Sequence, residues 1–117
     1  DVIRGKVAVI DLWASWCMPC RAKAKAMIPL YEKYKERGFE IVGVAREFKN
    51  TDRVRQAIKQ DGYPWLQLIE LDDRGRIWTR YMLGNAGGGV FLVDRDGTIL
   101  AVNPKPEEVQ SILERIL

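Results

Sequence analysis

The stretch KVAVIDLWASWCMPC, residues 6–20, carries the two signals from which the fold can be predicted. Residues 6–12 form a short apolar, β-branched run that is typical of a buried strand. Residues 13–20 follow at once and hold both cysteines of the chain, Cys17 and Cys20. A CxxC pair can be half of a zinc site, a structural disulfide or a redox couple, and its place in the fold bears on that choice.

Length and composition limit the kind of protein this can be. With 117 residues, 47% of them hydrophobic, we expect residues 1–117 to form one domain with its own core. A start so close to a core-like strand is compatible with a mature form or with a piece of a longer exported chain. No apolar run approaches the ~20 residues that span a bilayer, so we expect any membrane anchor outside this sequence.

The charged residues argue against two broad functions and several active sites. The 19 basic and 16 acidic residues are spread along the chain, which does not suggest binding of nucleic acid or of a membrane surface. There is no histidine. Ser-His-Asp and Cys-His catalysis and mixed cysteine/histidine zinc sites are therefore excluded.

The residues after the CxxC pair predict a βαβ unit. Residues 18–37 have the composition and apolar spacing of a helix, and Gly38 is a suitable C-terminal stop. Residues 39–45, FEIVGVA, read as a second buried strand. A strand, a helix and a strand in this order are expected to form a right-handed unit with parallel strands.

The rest of the sequence predicts smaller elements and completes an α/β fold. We expect a helix from Thr51 or Asp52 to about Gly62, a strand over 65–71, a short helix over 74–82, and a hairpin of 90–93 and 98–102 around DRDG. A closing helix begins near Lys105. The predicted architecture is a central mixed β-sheet with helices on both faces.

The position of the cysteines favours redox chemistry. Cys17 falls at or near the N-cap of the predicted helix, and Cys20 lies one turn along on the same side. A helix N-terminus stabilises a thiolate, so Cys17 is predicted to be the nucleophile and Cys20 to resolve the mixed disulfide. Pro19 suits the first helical turn. A disulfide over three residues closes a very small loop, so a purely structural role is poorly motivated.

These motifs resemble a known family. WASWCMPCR after KVAVIDL resembles the active site of the thioredoxin superfamily, and YEKYKERGFEIVGVA with FLVDRDGTIL is similar to its TlpA/ResA-like periplasmic branch of thiol-disulfide oxidoreductases. The resemblance implies a thioredoxin fold, exchange with disulfide-containing protein substrates, and no dissociable cofactor. It also implies a periplasmic or extracytoplasmic location and favours a disulfide reductase that a membrane redox partner supplies with electrons.

The resemblance assigns a role to Asp11, which falls where thioredoxins carry a buried acid beneath the CxxC motif. Cys20 must lose its proton before it attacks a mixed disulfide, and burial raises the pKa of a carboxyl toward neutrality. We therefore predict that Asp11 is the general base. The alternative is that the strand turns Asp11 to the surface or into a hydrogen bond at its end.

The chain departs from the family at Gly88, at Lys23 and at Lys25, where relatives tend to have a helix-kinking proline. Relatives carry a cis-proline before the third core strand, and counting back from Phe91 places Gly88 there. We expect Gly87 and Gly88 to form a mobile, less selective substrate groove, although a plain flexible turn is the alternative. Lys23 stands where relatives tend to have an acid, which leaves Asp11 as the only acid that can be assigned to the site.

Aromatic and apolar residues beside the cysteines are predicted to contact substrates. Trp16, adjacent to Cys17, is expected at the surface as an apolar ledge, together with Met18 and Pro19. Trp13 is compatible with either the site or the core.

Two other functions stay open from the sequence. The chain could be a binding module without turnover, which would show no Cys17-dependent disulfide reduction. It could also be a metal carrier that shares two thiolates per chain across a dimer, in which case protein purified under reducing conditions would hold stoichiometric zinc or iron.

Overall fold

The computed structural model describes residues 5–72 and 88–117, and most predicted elements are confirmed within one or two residues. The short helix predicted over 74–82 lies outside the described residues. The elements are β1 Val7–Ala14, α1 Met18–Tyr34, β2 Phe39–Glu47, α2 Asp52–Asp61, β3 Leu66–Leu71, β4 Gly89–Val93, β5 Ile99–Val102 and α3 Pro106–Ile116. The first helix ends earlier than predicted, because a 3-10 turn, Lys35–Arg37, follows Tyr34.

The described strands form one mixed sheet, as predicted, and their order in it is β3-β2-β1-β4-β5. Strand β2 runs parallel to both β1 and β3, whereas β4 is antiparallel to β1 and to β5. Strand β1 is therefore the central strand, and the CxxC motif follows directly from its end. This placement holds the cysteines at the C-terminal end of the central strand, which has a hydrogen-bonded neighbour on each side.

Alternate residues of the strands supply two apolar surfaces. On one face, Val9 and Trp13 of β1 pack with buried residues of all three described helices, among them Met27, Val54 and Leu113. On the other face, the buried residues that cluster are Leu12, Val44 and Phe91.

Two glycines end helical segments as their backbone angles require. Gly38 follows the 3-10 turn with φ 90°, and Gly62 follows α2 with φ 71°. Left-handed backbone of this kind favours glycine because it has no Cβ. None of the helices in the described ranges combines the length and the apolar character needed to cross a bilayer.

Candidate active site

The two cysteines form a disulfide at the N-terminus of α1, with a Cα–Cα distance of 5.3 Å. Cys17 is the N-cap residue, and its Sγ accepts a hydrogen bond from the backbone N–H of Cys20 at 3.3 Å. Pro19 lies in the first turn, where its missing N–H has no intrahelical partner to lose. The predicted helix position of Cys17 is thus observed, and its sulfur lies against the positive end of the helix dipole.

Asp11 lies inside the protein near the disulfide. Its side chain is on the face of β1 that packs against α1, and the residue is only 2% exposed. Burial raises the pKa of the Asp11 carboxyl to about 7, while the positive charge of Lys23 acts in the opposite direction. The Oδ2 atom has no hydrogen-bond partner among residues 5–72 and 88–117. The alternative in which Asp11 turns to the surface is therefore wrong.

A narrow cleft of about 90 Å³ joins Asp11 to Cys20. Its wall includes Asp11, Cys20 and Lys23, with Pro19 and Gly88 at the same opening. A water molecule in this cleft would have access to both the carboxyl and the Cys20 side. The cleft therefore brings the Asp11 carboxyl and Cys20 to one shared surface.

Gly88 lies directly before β4, in close contact with the backbone of β1. A Cβ added at this position would collide with the carbonyl oxygen of Leu12. The absence of a side chain is thus required by the approach of two strands, and the position is more than a plain turn. Gly87, the other glycine predicted to line the groove, lies outside the described residues.

The exposed side of the motif is apolar. Trp16 and Met18 are 46% and 62% exposed beside Cys17, in agreement with the surface position predicted for Trp16. Trp13, in contrast, is fully buried, and its Nε1 donates a hydrogen bond to Oε1 of Gln67 at 2.9 Å. Trp13 is therefore a core residue, in the cluster against which Cys20 packs.

An ion pair ties the cysteine-bearing end of α1 to α2. The Nε and Nη2 atoms of Arg21 donate to the two carboxylate oxygens of Asp61 at 2.7 and 3.0 Å. Asp61 also accepts from the Tyr63 hydroxyl at 2.7 Å, and Nη1 of Arg21 donates to the Ser15 carbonyl at 3.3 Å. The two side chains of the pair are only 13% and 6% exposed. The pair thus fixes the loop before Cys17 as well as the helix after it.

Asp61→Asn is expected to lower the free energy of unfolding by about 2 kcal/mol at pH 7, because a charge-assisted bidentate contact is replaced by neutral hydrogen bonds. Hydrogen bonding by Arg21 lowers the pKa of Asp61 below its ordinary value of 3.8. The stabilisation is therefore present above about pH 4 and lost as the pH falls through the pKa of the folded protein. Urea unfolding at pH 7 and near pH 2.5 measures both effects.

The control for this substitution is Asp52→Asn, a change of the same kind on the exposed first turn of α2. It removes only a helix-dipole contribution, which is worth less than about 1 kcal/mol. Equal losses for the two variants at pH 7 would contradict the anchoring role of Asp61.

Sequence reasoning missed the Arg21–Asp61 pair and two other neighbours of the site. Phe48, just after β2, stacks on Trp16 with ring centroids 5.7 Å apart. Asn103 lines the narrow cleft, and its Oδ1 accepts from the Val90 backbone N–H at 2.9 Å. For the ion pair, the available signal was the charged Arg21 directly after the CxxC motif, because its partner, Asp61, lies on another element.

Comparison with known proteins agrees with this geometry. The model of the AhpC/TSA family matches residues 1–102. The thiol-disulfide oxidoreductase ResA of Bacillus thuringiensis subsp. konkukian is 33% identical over 115 residues, covering 97% of this chain and 63% of the relative. ResA of Bacillus cereus is 28% identical over 117 residues, covering 97% and 65%. The chain thus spans slightly less than two thirds of the length of these relatives.

Solved structures show the same fold. The thioredoxin domain of a thiol-disulfide oxidoreductase from Bacteroides vulgatus superposes with a TM-score of 0.85 at 26% identity, covering 97% of this chain and 81% of that one. A thiol:disulfide interchange protein from Bacteroides sp. gives 0.84 at 26% identity, covering 98% and 75%. With its CxxC disulfide at a strand-to-helix junction of a thioredoxin fold, this chain belongs to the AhpC/TSA family.

Proposed function

We propose that this chain is a thiol-disulfide oxidoreductase that exchanges its Cys17/Cys20 dithiol with disulfides in protein substrates, acting mainly as a reductase. The observation that carries the proposal is the Cys17–Cys20 disulfide with the Cys17 sulfur at the N-cap of α1. The helix N-terminus stabilises the thiolate that must attack. The similarity to ResA proteins supports the same activity.

The first step forms a mixed disulfide. The Cys17 thiolate attacks one sulfur of the substrate disulfide, and the bond between the two substrate sulfurs breaks. The other substrate sulfur leaves as a thiolate and takes a proton from solvent. The Cys17 sulfur is then bonded to the substrate, and Cys20 remains a thiol.

The second step releases the substrate. Asp11 accepts the proton of Cys20 across the narrow cleft, and the Cys20 thiolate attacks the sulfur of Cys17. The mixed disulfide breaks, the second substrate thiolate leaves and is protonated, and the Cys17–Cys20 disulfide forms. Two electrons have passed to the substrate. A carboxyl with a pKa of about 7 can accept and return a proton at neutral pH, which fits this role for Asp11.

Substrate contacts are proposed on both sides of the disulfide. Trp16 and Met18 are exposed beside Cys17, and Pro19 and Gly88 line the cleft beside Cys20. These apolar surfaces suit an extended peptide segment that carries the cysteine under attack. Gly87 is proposed to contribute to the same groove.

The cycle requires a source of electrons, since each turnover leaves the enzyme oxidised. We propose a membrane redox partner that returns a dithiol to Cys17/Cys20, in an extracytoplasmic, periplasmic-type compartment where protein disulfides form. Residues 1–117 are proposed to act as one thioredoxin-like domain, with any membrane anchor outside this chain. The chemistry requires no cofactor.

The reduction potential of the Cys17/Cys20 couple tests the proposal. Equilibration with glutathione or dithiothreitol, followed by tryptophan fluorescence, is expected to give a reversible two-electron couple, because Trp16 adjoins the disulfide. A value near the roughly −270 mV of thioredoxin favours a reductase. If no reversible disulfide forms, the redox function is wrong, and a binding module or a metal carrier takes its place.

A further inference from the structure

We propose that the substrate protein presents an acidic segment with an aromatic or aliphatic side chain, and that this segment docks beside Cys17 in a groove formed by α2 and the loop after β2. This inference rests on the proposed disulfide exchange, because it names the kind of substrate that reaches Cys17. We call this surface the α2 groove. It is defined by Trp16, Phe48, Lys49, Arg53 and Gln60.

The groove consists of two adjoining cavities. The larger, about 380 Å³, lies between Trp16, Phe48 and Arg53, and the smaller, about 230 Å³, continues along α2 to Gln60. Trp16 and Arg53 line both cavities, so the two form one surface. In the part of the chain that the structure describes, it shares no lining residue with the cleft of Asp11 and Cys20. A segment in the α2 groove would therefore leave the path of the proton open.

The apolar part of the groove is an exposed aromatic pair. Trp16 and Phe48 are 46% and 43% exposed, and their rings stack with an interplanar angle of 26°. The guanidinium of Arg46 lies 5.4 Å from the centre of the Phe48 ring. Exposed aromatic rings next to a reactive sulfur are typical of protein-binding surfaces, because they supply a large contact area at low entropic cost.

The charge of the groove is positive. Lys49 and Arg53 are exposed, and within residues 5–72 and 88–117 their side chains have no acidic partner. Glu47 also lines the larger cavity, but it is 4% exposed and already accepts hydrogen bonds from Ser15 Oγ and the Phe48 N–H, both at 3.0 Å. Arg21, in the smaller cavity, is neutralised by Asp61. Among the described residues that line the groove, the exposed charges are therefore two cations, Lys49 and Arg53.

The loop that carries Phe48 and Lys49 is held in place before any partner binds. The Lys49 N–H donates to Oδ1 of Asp72 at 2.8 Å, and the Asp72 N–H donates to the Glu47 carbonyl at 2.7 Å. The Asn50 side chain caps the next turn by accepting from the Asp52 N–H at 3.1 Å. Because the loop is already ordered, binding requires little further loss of conformational entropy. An acidic, apolar segment thus meets complementary charge and a preformed aromatic surface.

The test is a binding titration with peptides that lack cysteine. One peptide carries phenylalanine flanked by glutamates, and its counterpart carries lysines in place of the glutamates. NMR chemical shifts of the reduced protein are expected to move at the α2 groove, with affinity for the acidic peptide higher by roughly fivefold to tenfold at low salt. Because exposed charges are screened, roughly 0.5 M salt should remove most of the difference.

Charge-reversal variants give the matched comparison. Lys49→Glu with Arg53→Glu is expected to invert the preference between the two peptides. Lys59→Glu, on the same helix but outside both cavities, should change it less than twofold. Phe48→Ala is expected to weaken both peptides. The inference is overturned if the peptides bind equally, if shifts appear away from the groove, or if Lys59→Glu acts as strongly as Arg53→Glu.

A second measurement separates this inference from the proposed function. Reduction of the small neutral hydroxyethyl disulfide, with dithiothreitol as electron source, requires Cys17 but not the groove. Peptide preference without this reduction would support the groove and contradict the exchange activity. Reduction without any peptide preference would support the activity and contradict the groove.

Discussion

Cys17→Ser is expected to lose disulfide exchange, with a fall in rate of at least about 10³-fold, because a serine hydroxyl is not ionised near neutral pH and cannot replace the thiolate. Cys20→Ser is expected to retain the first step and to stop there. Its Cys17 sulfur still attacks, but no second thiol resolves the mixed disulfide. The two variants should therefore fail at different points of the same reaction.

Mass spectrometry after incubation with a peptide disulfide distinguishes these outcomes. Cys20→Ser should gain the mass of one peptide thiol, bound to Cys17, whereas Cys17→Ser should gain none. Thermal unfolding of the two reduced variants serves as the control, since both cysteines are only partly buried. Equal trapping at both positions would contradict the assignment of Cys17 as the nucleophile at the N-cap.

Asp11→Asn is expected to raise the free energy of unfolding at pH 8 by about 2–4 kcal/mol. In the folded protein the pKa of Asp11 is raised from 3.8 to about 7 by burial, so the folded state holds a proton that the unfolded chain has lost between these pH values. The stability that this group contributes is therefore fully present below about pH 4 and lost as the pH rises through 7. At 1.36 kcal/mol per pH unit, the whole difference is about 4 kcal/mol.

Urea unfolding between pH 4 and 8 measures this effect. The free energy of unfolding of the wild type should fall across this interval, and that of Asp11→Asn should fall less. The buried amide of this variant lacks some hydrogen bonds, which reduces the stability gained at pH 8. Asp52→Asn, an exposed change, should keep the slope of wild type. If Asp11→Asn kept the full pH dependence of the wild type, a group other than Asp11 would be responsible for it.

The same substitution is expected to slow the exchange reaction. An amide cannot accept the Cys20 proton, so resolution of the mixed disulfide should fall by roughly 10²-fold near neutral pH. The step that forms the mixed disulfide should change much less, because Asp11 faces the cleft of Cys20. Rapid-mixing kinetics of the two steps separate these effects. We expect Asp11→Asn to be more stable than the wild type and yet slower to resolve the mixed disulfide. If Asp11 had only a structural role, its substitution would not slow that step.

The local pattern of the sequence determined the framework of the site. Apolar runs of strand length and a helical pattern that ends at Gly38 are sufficient to predict the βαβ unit, because these patterns depend only on residues close together in the sequence. The CxxC pair at the strand-to-helix junction then placed Cys17 at the N-cap. Asp11 stood out because a carboxyl inside an apolar strand is costly to bury. Its burial followed from the alternation of side chains along β1, which places it on the same face as the buried Val9 and Trp13.

Only the tertiary structure decided what surrounds that framework. Arg21 meets Asp61 from 40 residues away, Phe48 comes to lie on Trp16, and the backbone of Leu12 leaves no space for a side chain at Gly88. Such contacts depend on how helices and loops pack across a sheet, and no periodicity within one segment encodes that packing. The two cysteines of the site could therefore be identified from the sequence, while the residues that pack around them required the assembled fold.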